Sequence, residues 1–163
     1  MSSILEKISS YNIFNYLFPG AVFVFACEAS DIFKIASDNV ILALIIYYFS
    51  GMTISRIGSM ILDPILMRLG WIKFSHYSDY LRATEKDAKI EIFIEVSNTY
   101  RTLGSMCLCL IAAFEGHAVL QAYSIPIGPI KLIGIIALAC LFIFSYKKQI
   151  GFIRQRVDFQ KRK

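Results

Sequence analysis

The stretch VILALIIYYFSGMTIS, residues 40–55, decides the fold class. It holds no Asp, Glu, Lys or Arg, and apolar character continues past Arg56 to Leu62. That length matches the roughly 17–25 residues needed to cross the hydrocarbon region of a bilayer. Only a helix pairs all its own backbone groups there.

Three more runs of this kind flank it. The first covers Tyr11 to Cys27 and extends back to Ile8. The third covers Thr102 to Ala122, interrupted by Glu115 and His117. The fourth covers Pro129 to Tyr146, with Lys131 near its start. The expected architecture is an all-α integral membrane protein with spans at about 8–27, 40–62, 102–122 and 129–146. A helical loop, 63–101, joins spans 2 and 3, and a basic tail covers 147–163. The 163 residues are 56% hydrophobic with mean hydropathy +0.58, above the roughly 45–50% apolar content of a soluble domain. The segments outside the spans are too short to bury a sizeable core alone.

The net charge is +5, and its distribution sets the orientation. The stretch 56–101 carries seven basic residues: Arg56, Arg68, Lys73, Arg82, Lys86, Lys89 and Arg101. The tail also carries seven: Lys147, Lys148, Arg154, Arg156, Lys161, Arg162 and Lys163. The connection at 28–39 has only Lys34, and the one at about 123–128 has none. Basic residues mark cytoplasmic connections, so both ends and the middle loop are expected inside. A cleaved leader is the rival reading of the first run. Phe25 fits poorly near a cleavage site at Val24-Phe25-Ala26-Cys27, and Pro19-Gly20 interrupts the apolar stretch.

The stretch 56–101 mixes its seven basic residues with six acidic ones, so it is no polybasic arm. Asp63-Pro64 is expected to follow the end of span 2, because a residue before proline is pushed away from helix. Ile65 to Phe74 is apolar and is expected to lie along the membrane surface or against another helix, with Trp71 and Phe74 suited to an interfacial depth. Ser78 or Thr84 can cap the next helix, expected from about Asp79. Ala88, Ile92, Val96 and Tyr100 recur at helical spacing; Ile90, Ile92, Ile94 and Val96 also alternate as in a strand. Helix is favoured, since the segment leads into span 3. The charge run from Glu85 to Glu95 is a solvated helix face with i,i+4 pairs such as Glu85–Lys89 or a docking face for a cytoplasmic protein.

Glu115 and His117 are the sharpest polar feature. An ionisable group in the bilayer costs about 2.5–3.5 kcal/mol at its centre on insertion scales. Three placements stay open: the outer interface, a bond to another helix, or the wall of a cation path lined by a ring of carboxylates. Asn12 and Asn15 of span 1 and Tyr47 and Tyr48 of span 2 are the candidate inward partners. Pro19 and Gly20 are a candidate hinge. Gly51, Ser55 and Ser59 form a small-residue stripe for helix packing. Arg56 and Lys131 can snorkel to headgroups. Lys147, Lys148, Arg154 and Arg156 are candidates for lipid-headgroup binding, on a tail where Ile150, Ile153 and Val157 share one face.

The four cysteines, Cys27, Cys107, Cys109 and Cys140, match no zinc or disulfide spacing and read as small apolar residues. There is no phosphate-binding glycine loop and no nucleophile–base pair. No catalytic, cofactor or metal site is expected, and nucleic acid is not expected as a partner. The functional expectation is a non-enzymatic multi-pass protein of the cell inner membrane. It would form homo-oligomers and anchor or sense for a cytoplasmic partner through 63–101. A conducting pore with Glu115 on the path is the alternative. At the level of architecture alone, the chain resembles compact four-span subunits of bacterial antiviral defence and stress systems.

Overall fold

The computed structural model describes residues 12–34, 39–87, 89–124 and 127–161, the last stretch with only part of its side chains. Among them all regular structure is helical. The helices are α1 (Ile13–Ala29), α2 (Val40–Arg68), α3 (Tyr77–Lys86), α4 (Lys89–Ala122) and α5 (Ile127–Lys161). Helices α2 and α4 are long and apolar enough to cross a membrane. α1 is shorter, and the described apolar part of α5 is confined to Ile133–Ser145. Residues 8–11, assigned to the first span, lie outside the described residues.

Helix α2 starts where Asn39 caps it, its Oδ1 accepting from the amides of Ile41 (3.0 Å) and Leu42 (3.3 Å). It does not end at Asp63-Pro64. The chain widens into a π-helical turn at Gly58–Leu62 and returns to α-helix over Asp63–Arg68. A proline inside an α-helix lacks an amide hydrogen, and its ring clashes with the carbonyl four residues back. The wider turn moves that carbonyl aside. Helix α1 uses the same device: a π-helical turn at Ile13–Leu17 precedes Pro19. In each case the proline follows two residues after the turn.

What stops α2 is Gly70, at φ +74°. The amide of Trp71 bonds the Leu66 carbonyl and that of Gly70 the Met67 carbonyl, a left-handed C-terminal cap for which glycine is suited. Neither residue expected to cap α3 does so. His76 holds the cap position without a side-chain bond, Ser78 lies inside the helix, and Thr84 donates to the carbonyls of Tyr80 and Leu81. Residues 90–96 are helical, and α4 runs unbroken through Tyr100-Arg101.

Helices α1 and α2 cross backbone to backbone. A Cβ on Gly20 would sit 1.8 Å from the Tyr47 carbonyl oxygen, and one on Gly51 would sit 1.8 Å from that of Tyr16. Close approach of this kind needs small residues at the crossing. Helix α4 packs on both through the buried Thr102, Ser105 and Met106. Helix α5 lies along α2, where Phe142 meets Phe49 with ring centroids 6.0 Å apart. It also reaches α3, where Phe152 stacks on Tyr77 at 5.4 Å. The core is small: Val24, Cys27, Ile54 and Met106 are buried in it. Large apolar side chains such as Ile41, Ile45, Ile111 and Ile135 point outward, the reverse of a water-soluble bundle.

Candidate functional site

Among the described residues, polar side chains of different helices meet at two junctions. At the first, Thr102 is fully buried. Its Oγ1 lies 2.9 Å from Asn15 Oδ1, 3.1 Å from Ser55 Oγ and 2.9 Å from the Asn98 carbonyl oxygen. One hydroxyl carries one proton and two lone pairs. Thr102 therefore donates to one neighbour while the Ser55 hydroxyl can donate to it. α1, α2 and α4 are tied at one point. Asn15 and Ser55 were singled out from the sequence; Thr102, which joins them, was not.

The second junction lies at the end of the bundle where 56–101 and the tail meet. Arg101 Nη1 donates to Asp63 Oδ2 at 3.2 Å, with Asp63 buried. The Nε of Arg101 is buried with no acceptor among the described residues. Lys148 of α5 donates from Nζ to the Ser59 carbonyl at 2.6 Å. Burial pushes its pKa below the ordinary lysine value. Asp63 opposes that shift, and Arg101 and Arg56 add to it. Asp63, Arg101 and Arg56 thus all lie close enough to Lys148 to act on its charge.

An apolar groove of about 200 Å³ begins beside this junction and runs between α2 and α4. Ile57, Ile61 and Ile65 line one wall and Leu108, Cys109 and Ala112 the other.

Glu115 is exposed on α4, and no described residue bonds it. His117 Nε2 lies 3.3 Å from Gln121 Nε2, one turn on. Of the inward partners named for these two, Asn15 turns to Thr102, and Tyr48 packs edge-on against Tyr16 at 5.5 Å. Pro19 and Gly20 are buried where α1 meets α2, and Ser59 is buried in the π-helical turn of α2. Lys147 is exposed. The side chains of Lys131, Ile150, Ile153, Arg154, Arg156 and Val157 lie outside the described residues. No group of His, Cys, Asp and Glu able to hold a metal ion occurs among the described residues.

Sequence reasoning treated Asp63 and Arg101 as loop charges. A signal was present, since both lie at the edge of an apolar run, where an unpaired charge is costly. Compared with known proteins, the chain matches no family model, no curated protein and no solved structure.

Proposed function

We propose that the chain is a non-enzymatic, four-span inner-membrane protein, with both ends in the cytoplasm, that assembles with copies of itself and anchors a cytoplasmic protein through 63–101. The observation that carries this is a continuous exposed stripe on α4. Phe93, Tyr100, Cys107 and Phe114 recur at seven-residue intervals and are all exposed, with Val96 and Ile111 between them. A seven-residue apolar repeat is the pattern of helices that pair lengthwise. Lipid could cover the part beyond Thr102. It would not cover Phe93 and Tyr100, which are 68% and 70% exposed and precede the apolar run. A parallel copy related by rotation would cover the whole stripe. Trp71 and Phe74, 78% and 63% exposed, are left for the cytoplasmic partner.

Cys107 tests the assembly directly. Mild oxidation of native membranes should give a disulfide-linked dimer that Cys107→Ser abolishes. A monomer after gentle extraction, with no Cys107 crosslink, would overturn it. Co-purification from the same extract, compared with a Trp71→Ala, Phe74→Ala variant, tests the anchoring role.

One observation favours a pore as the second reading. Glu115 is exposed and lies one turn from Ile111, beside Phe114. In an assembly built on this stripe, carboxylates from several copies would gather near the axis. Reconstituted protein should then pass cations with a selectivity that Glu115→Gln changes. No current, or unchanged selectivity, removes this reading.

A further inference from the structure

We infer that the junction of Asp63, Arg101 and Lys148, with the adjoining groove between α2 and α4, is a binding site for one anionic phospholipid of the inner leaflet. The inference rests on the membrane reading above.

The first argument is charge. Arg56, Arg101 and Lys148 converge where Asp63 is the one carboxylate, among the described residues, found to act on Lys148. Arg101 meets Asp63 through a single nitrogen rather than the two-pronged contact its guanidinium can make. Donor capacity remains on Arg101, and positive charge exceeds negative.

The second argument is shape. Leu62, next to Asp63, and Ser105, whose hydroxyl bonds the Arg101 carbonyl at 2.8 Å, both line the groove. From there the groove runs along apolar side chains toward Ala112, deeper in the third predicted span. A cationic mouth continuous with an apolar channel fits a two-part ligand, phosphate at one end and acyl chain at the other. A free phosphate would use the mouth alone, and a neutral lipid would gain nothing from the charge.

The third argument is level. Asp63 follows the second predicted span, Arg101 precedes the third, and Lys148 follows the fourth. Three separately placed groups meet at the depth of a headgroup.

Native mass spectrometry of the full chain, extracted from membranes, tests the inference with dioleoylphosphatidylglycerol, dioleoylphosphatidylcholine and inorganic phosphate as probes. The expected result is preferential retention of phosphatidylglycerol, not displaced by phosphate. Lys148→Gln should weaken retention about fivefold, the effect of one basic residue near an anionic surface. Lys147→Gln, one residue away and exposed like Lys148 but outside the junction, should change it little. Ala112→Phe, at an exposed position, should block the chain end while leaving the junction intact. It carries the test if Lys148→Gln fails to fold. Equal retention of the two lipids overturns the inference, as does displacement by phosphate. So do equal effects of the two lysine variants, which would mark diffuse attraction to the tail. A chain released from membranes by alkaline carbonate would instead overturn the membrane reading itself.

Discussion

Lys148 supplies the hydrogen that Pro64 lacks. In the π-helical register the carbonyl of Ser59 is the acceptor for residue 64, and residue 64 has no amide hydrogen. The Asp63 amide bonds Gly58 instead, and the Lys148 ammonium reaches across from α5 to the Ser59 oxygen at 2.6 Å. The π-helical turn carries α2 past the proline, and one residue on α5 pairs the carbonyl that the proline leaves without a donor.

The first prediction follows from that pair. Lys148→Met should destabilise the protein by about 1–2 kcal/mol, the worth of a charge-assisted bond whose acceptor is left half-buried. In a Pro64→Ala background the amide can bond within the helix, so the same substitution should cost measurably less. A double-mutant cycle by unfolding in detergent checks this, and equal costs in both backgrounds would refute it.

Burial lowers the pKa of Lys148 in the folded chain, so the unfolded chain holds this proton more tightly. Between the lowered value and the ordinary 10.5, the unfolded state binds more protons, and stability attributable to Lys148 rises with pH. The stability of the wild type relative to Lys148→Met should therefore increase over that alkaline window. A flat or falling difference would contradict the placement of the ammonium.

The helix crossing predicts a contrast among glycines. Gly20→Ala and Gly51→Ala each drive a methyl into a facing carbonyl oxygen, and each should cost about 3 kcal/mol by forcing the helices apart. Gly104→Ala and Gly116→Ala meet nothing within 4 Å and should be neutral or stabilising by up to about 1 kcal/mol. Melting temperatures of the four variants in one detergent decide the matter.

At the buried junction, Thr102→Val keeps the shape and removes the hydroxyl. It should cost about 1–2 kcal/mol, the upper range for hydrogen bonds between membrane helices. Thr102→Ser should retain most of that stability. If the valine variant unfolds like the wild type, the junction adds no stability.

The apolar runs, their helical character and the side of the chain that carries positive charge were legible from residues 40–55 and the lysine and arginine positions alone. Length against bilayer thickness and the cost of an unpaired backbone group are properties of local sequence. The helical reading of 90–101 was equally local. The course of α2 was not. The rule that proline ends a helix assumes an α-helical register; here a π-helical turn takes the strain, and the carbonyl it leaves over is bonded by a lysine far along the sequence. The meeting of Asn15, Ser55 and Thr102, and of Asp63, Arg101 and Lys148, likewise depends on how three helices cross. Sequence alone determined that this chain forms long apolar helices with basic ends. Only the tertiary structure decided which polar groups those helices turn toward each other, because a buried donor or acceptor takes its partner from whichever helix packing brings within reach.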